Sequence, residues 1–171
     1  MTRGAIFVAA IGIAIAHGCG TGGAGGPRLL DPLDTVAAWR ATGSDGVASS
    51  IASVPGVRGQ ALRLIVDLGG TSGYAVARRP LPLELPDDFE LSFELRGDIP
   101  PNNFELKLID ASGDNVWWYH RPSFAFPAAW RHMTVSRRQI EFAWGPTADR
   151  TLRRIAAIEI VVSAGRGGGK G

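Results

Sequence analysis

Asn103-Phe104-Glu105-Leu106-Lys107-Leu108-Ile109-Asp110, then Ala111-Ser112-Gly113, then Asp114-Asn115-Val116-Trp117-Trp118-Tyr119-His120-Arg121-Pro122 follow one another without a break. Together they read as a β-hairpin. In the first segment Phe104, Leu106 and Leu108 alternate with Glu105, Lys107 and Ile109, the period of a strand whose successive side chains point to opposite faces. Asp, Ser and Gly supply the turn, and Pro122, which cannot donate to a ladder, closes the second strand. Trp117 and Trp118 are adjacent, so they cannot both point inward. If Val116 is the inward residue of the second strand, Trp117, Tyr119 and Arg121 lie on the open face; the opposite parity presents Trp118 and His120. The first is the preferred expectation, because two rings and a guanidinium make a stacking platform with a polar end. Aromatic faces stack on ring-shaped ligands while amide, imidazole and guanidinium groups bond their polar edges, a mixture that suits a sugar. Lys107 on the same face and Trp144, held beside Gly145 and Pro146, complete the candidate ligand-binding set.

The same two-residue period recurs upstream. Leu62, Leu64, Val66 and Leu68 alternate with Arg63, Ile65 and Asp67, and Phe89, Leu91, Phe93 and Leu95 alternate with Glu90, Ser92, Glu94 and Arg96. Downstream, Ile158, Ile160 and Val162 alternate with Glu159, Val161 and Ser163. Turn clusters at Ser44-Asp45-Gly46, Pro55–Gly59 and Gly69–Gly73 separate these runs, and Trp39 is a core anchor near the start. Pro80 to Pro86 reads as an extended connection outside any central ladder, and Arg137 to Pro146 as an irregular segment or helical turn. About nine strands with proline-rich crossings predict an all-β fold, a two-sheet β-sandwich with jelly-roll topology. The chain's 171 residues suffice for one such domain and its core, and 23 Gly with 11 Pro favour turns over long helices.

Both ends differ from this middle. Residues 1–19 read as a signal peptide: Arg3 precedes an apolar stretch from Ala5 to Ala16 that is too short to span a membrane. Cys19, the single cysteine, follows Ala16-His17-Gly18 in a candidate lipobox. That predicts a lipidated N-terminus and an exported protein, a cell-surface or periplasmic lipoprotein or else a secreted one. A lone cysteine excludes an internal disulfide. Residues 20–28 are a flexible glycine-rich tether, and residues 29–171 the module. Gly165 to Gly171 is a glycine-rich loop with no strand after it, so the natural protein is expected to continue and the module to be truncated at its C-terminus.

Other chemistries find little support. Lys and Arg are scattered apart from Arg78-Arg79, Arg137-Arg138 and Arg153-Arg154, a solvated surface rather than a nucleic-acid footprint. The tail has neither the spacing nor the Ser or Thr of a phosphate loop. His17, His120 and His132 lack partners at zinc spacing. A structural calcium, the one cofactor considered, would draw on Asp31, Asp34 or Asp45. No Gly-x-Ser-x-Gly occurs, and among Glu105, Asp110, Asp114, Glu141 and Glu159 no pair stands out as a glycosidase dyad, so catalysis is not expected.

The runs Asn102–Asp110, Ser112–Trp118, Ile140–Pro146 and Ala164–Gly171 resemble bacterial modules of the galactose-binding-like jelly-roll superfamily, and are similar to family-eleven carbohydrate-binding modules. The likeness covers roughly residues 29–171. It implies a non-catalytic module that holds a larger carbohydrate-active protein on polysaccharide, with a downstream domain of the same natural chain as neighbour. It also implies a last strand that is missing here. Two other classes remain open at this point: a structural module whose aromatic face packs on a neighbouring domain, and a small glycoside hydrolase.

Overall fold

The computed structural model describes residues 4–14, 28–69 and 72–165. Among them are twelve strands, one 3-10 turn at Arg137–Gln139 and no α-helix. In chain order the strands are β1 Gly4–Ala14, β2 Arg28–Asp31, β3 Arg40–Gly43, β4 Ala48–Pro55, β5 Gln60–Asp67, β6 Tyr74–Glu84, β7 Glu90–Asp98, β8 Asn102–Ile109, β9 Val116–Phe124, β10 Arg131–Ser136, β11 Glu141–Trp144 and β12 Arg154–Ser163. They form two antiparallel sheets. One has the order β10-β7-β1-β5-β4, with β2 attached to β1; the other has the order β11-β9-β8-β12-β6-β3. The all-β sandwich predicted from the alternation is what forms.

The core lies between the sheets and is built by that alternation. Leu62, Leu64 and Val66 of β5 and Leu91, Phe93 and Leu95 of β7 meet Phe104, Leu106 and Leu108 of β8 and Ile158, Ile160 and Val162 of β12, all buried. Phe104 is the aromatic centre, with the rings of Phe93, Tyr119, Phe124 and Phe126 at centroid distances of 5.4–6.5 Å.

Three segments differ from expectation. Pro80 and Pro82 lie inside β6, paired with β12, rather than in a free connection. They are tolerated because β3 reaches β6 only as far as Arg78, leaving the proline stretch at the sheet margin, and because the ladder shifts register at Pro80. The segment after Gln139 becomes β11 instead of staying irregular. Finally, most of the stretch from Ala5 to Ala16, expected as the apolar part of an export signal, runs as β1 in the middle of a sheet, with Ile6 and Val8 fully buried. A signal's apolar stretch and a central strand call for the same unbroken hydrophobic composition, so sequence pattern does not separate the two roles. Cys19, the tether up to Pro27 and residues 166–171 fall outside the described residues.

Near the start of the module a buried carboxylate ties three elements together. Asp31, 6% exposed, accepts from the Leu33 amide at 2.8 Å and from Trp39 Nε1 at 2.9 Å, and forms an ion pair with Arg79 of β6. Leu33 is buried with φ +59, so the turn is held in a backbone region that a branched side chain rarely adopts. Removing the acid would leave an indole N–H and a guanidinium without their partner in a dry site. Asp31→Ala is therefore expected to destabilise by about 3 kcal/mol or more, and Trp39→Phe, which loses one hydrogen bond, by about 1–2 kcal/mol. Urea unfolding followed by tryptophan emission measures both.

Candidate functional site

The hairpin turn decides which side chains reach the open face of the β8/β9 sheet. Asp110 Oδ1 accepts from the Ser112 hydroxyl at 2.6 Å, the Ser112 amide at 3.1 Å and the Gly113 amide at 3.2 Å, while Oδ2 accepts from Asn115 Nδ2 at 2.7 Å. Closed in this way, the turn pairs Ile109 with Val116. Directly paired residues share a face, and Ile109 lies with Glu105 and Lys107 on the outer side. Val116 therefore points outward, into a small apolar cluster with Ile109 and Ala157. The preferred parity is thus reversed.

Trp117 and Tyr119 are core residues, 4% and 5% exposed. Trp117 Nε1 donates to the Arg150 carbonyl at 2.8 Å, and its ring meets Phe142 edge-on at 5.4 Å. Arg121 is exposed, but its Nε is spent on the Tyr119 hydroxyl at 2.7 Å, with the guanidinium 5.0 Å from that ring. Beyond it Ser123, at φ +50, turns the strand away and donates its amide to Asn103 Oδ1.

Trp118, His120, Lys107 and Trp144, by contrast, come together on the outer face. Trp118 and His120 stack at 4.5 Å and 19°, and Trp144 stands at 85° to Trp118 with centroids 5.6 Å apart. The Trp118 indole donates to Glu141 at 3.2 Å. Lys107 Nζ lies 5.1 Å from the Trp144 ring and 3.0 Å from Glu105. Trp144 is held here by Gly145, whose φ of +138 and contact with Asn115 leave no room for a side chain.

The ladder carries this corner across the sheet. Glu141, Trp118, Lys107, Glu159, Arg78 and Arg40 are successive cross-strand partners on β11, β9, β8, β12, β6 and β3. At the usual strand spacing such a row spans roughly 24 Å. Arg78 and Glu159 pair at 2.9 Å, and Glu105, 7% exposed, also accepts from the Ser163 hydroxyl at 2.9 Å. Asn103, Ser163 and Tyr74 make a further row, in which Tyr74 is 47% exposed. Glu159, Arg78, Asn103, Ser163 and Tyr74 were not among the expected site residues. Each stands among other polar or charged residues of its strand, as Tyr74 and Arg78 do beside Arg79 and Glu84 in β6, and only cross-strand register brings them together.

The calcium candidates are not assembled. Asp31 is committed to Trp39, Leu33 and Arg79, Asp34 and Asp45 are exposed, and no group of three acidic, His or Cys side chains that could hold a metal occurs among the described residues. A separate cleft of about 430 Å³ opens at the loop end of the sheet, lined by Asp110, Thr147, Asp149, Arg153 and the edge of Trp117. Its charges are satisfied locally. Hydrogen bonds from Thr151 and Arg153 hold Asp149 at a pKa of about 2.

Comparison with known proteins comes through structure alone. No family model matches the chain, and no curated protein matches it in sequence. A family 11 carbohydrate-binding module of Clostridium thermocellum, solved with a β-1,3-1,4-mixed-linked tetrasaccharide, superposes with a TM-score of 0.66 at 17% identity, covering 94% of this chain and 90% of that one. The fold is that of the family 11 carbohydrate-binding modules. Such a module from a cellulosomal cellulase of the same organism gives 0.64 at 20% identity, over 82% and 86% of the two chains.

The Asp110 turn gives the site a pH limit. Burial raises the Asp110 pKa, but hydrogen bonds from Ser112, Asn115 and Gly113 outweigh it and leave the carboxyl below its ordinary 3.8. A group whose pKa is lowered by folding stabilises above its unfolded pKa, and that contribution is lost as pH falls through the folded value. Asp110→Asn is expected to lower the urea midpoint at pH 5, and the gap from the parent to close as pH falls below 3.8.

Proposed function

We propose that this protein is a non-catalytic carbohydrate-binding module that holds a larger carbohydrate-active protein on polysaccharide, with the outer face of the β8/β9 sheet as its glycan platform. The observation that carries this reading is the corner of Trp118, His120 and Trp144 opening onto a row of paired charges. Rings supply stacking faces for the apolar faces of sugar rings, and carboxylates, ammonium and guanidinium groups supply acceptors and donors for hydroxyls. Because Glu105, Lys107, Glu159 and Arg78 already bond to each other or to Ser163, they are held in place before a ligand arrives, which reduces the ordering cost of binding. The absence of net charge along the pairs favours a neutral chain. The family 11 fold, found in a module solved with a mixed-linked glucan tetrasaccharide, supports the same reading and makes β-glucans the first ligands to try.

Isothermal calorimetry with mixed-linked β-glucan oligosaccharides tests this. Trp118→Ala is expected to keep its fold and lose about tenfold or more in affinity, in line with the roughly 1–3 kcal/mol of a lost stacking ring. Trp117→Ala instead should cost about 3–5 kcal/mol of stability, as a core truncation. Binding that is unchanged in a folded Trp118→Ala would rule out the platform.

Export is the second part of the proposal, supported by Arg3, the apolar run and Cys19. Fatty-acid labelling of the native host protein is expected to mark Cys19, with the mature chain beginning there. An unlabelled protein whose N-terminus is Met1 or Thr2 would remove both the anchor and the signal.

A further inference from the structure

Trp144 is the ring of the stacking corner that its own strand holds least. β11 is four residues long, stands at the margin of its sheet, and shifts register against β9 between Phe142 and Trp144. A margin strand with such a break does not by itself fix the direction of its last side chain. The ring is 46% exposed, meeting Trp118 at 85° and the Lys107 ammonium at 5.1 Å.

The chain just beyond Trp144 is held by Asn115. Thr147 donates its amide to Asn115 Oδ1 at 2.9 Å, and Gly145 lies so close that a Cβ there would meet the same oxygen. On its other side Asn115 Nδ2 donates to Asp110 Oδ2 at 2.7 Å and to Ser112 Oγ at 3.3 Å. At 7% exposure the side chain is committed in both directions and does not present itself to a ligand. The residue type follows from these partners. A donor must face the Asp110 carboxylate and an acceptor the Thr147 amide, and a primary amide supplies both. An Asp there would set two carboxylates against each other, and an apolar residue would leave the carboxylate and the amide each short of a partner.

We propose that Asn115 is a positioning residue of the platform: by coupling the Asp110 turn to the Gly145–Thr147 loop it holds the Trp144 ring at right angles to Trp118, and so sets glycan affinity without touching the glycan. The proposal rests on the glycan reading of the platform. Two perpendicular indoles cannot stack on the same face of one sugar, so one supports the sugar and the other bounds it. A Trp144 fixed in advance adds its contact at little ordering cost, whereas a released one must be ordered at the expense of binding energy.

Calorimetry with mixed-linked β-glucan oligosaccharides tests this beside circular dichroism, in which two indoles in contact give a coupled pair of bands whether or not a ligand is present. Trp144→Ala is expected to abolish the coupled signal and to weaken binding about tenfold, the effect of a lost stacking ring. Asn115→Ala is expected to diminish the signal and weaken binding by a similar factor while the core stays folded. Asp110→Asn and Asn115→Asp each set like groups face to face, and each should weaken binding as well. Combining the two exchanges restores a donor opposite an acceptor and keeps an oxygen for the Thr147 amide, so signal and affinity should return to within about threefold of the parent. That comparison decides the matter even where Asn115→Ala fails to fold. The proposal is overturned if a folded Asn115→Ala keeps both signal and affinity, or if the double exchange stays as weak as either single variant. Unchanged binding in folded Trp118→Ala and Trp144→Ala alike strikes the platform itself; loss of binding in those two with Asn115→Ala unaffected strikes only the role of Asn115.

Discussion

The closure of six residues, Asp110 to Asn115, around one carboxylate sets the face of the side chains from Val116 to Arg121 in β9. Because the turn pairs Ile109 with Val116, and strands alternate strictly, a single register choice sends Trp117 to the core and Trp118 to solvent. A slip of one residue would exchange them, burying a His120 and exposing a Tyr119. The Asp110 network is therefore more than a local cap: Asn115, which it orients, also accepts the Thr147 amide and lies against Gly145, so the loop bearing Trp144 is registered by the same turn.

Much of the fold was legible from pattern. The runs at Leu62–Leu68, Phe89–Leu95 and Phe104–Leu108 each have a single apolar face, and those faces are the ones that pack. The facing of the second hairpin strand was misread because Val116 was taken as core on hydrophobicity alone. The hairpin itself held the contrary information: Ile109 alternates with the polar residues of its strand, and a turn that joins Ile109 to Val116 puts both on one side. Small apolar clusters on an outer face, like that of Ile109, Val116 and Ala157, defeat an argument that equates apolar with inward.

The rest of the site was not legible for a different reason. Arg78 and Glu159 come from strands 81 residues apart, nothing in either strand marks its residue as special, and only the ladder sets them beside Lys107 and Trp118, which the hairpin had already marked. Cross-strand rows are properties of register, which sequence periodicity leaves open. The apolar N-terminal run shows the complementary difficulty: its composition is unmistakable, yet an export signal and a buried strand draw on the same residues.

The margins of the two sheets differ in what they leave open to other chains. The platform sheet ends in β11 and β3, each only four residues long, so little unpaired backbone is offered at either side. The opposite sheet ends in β10, six residues long, and in β4, eight residues of small and apolar side chains with no charge until Pro55 stops it. Copies crowded side by side would thus present β8/β9 faces whose own margins do not zip together. Any tendency to self-associate would run through the longer margins of the other sheet, and Pro55 limits how far a seam along β4 could extend.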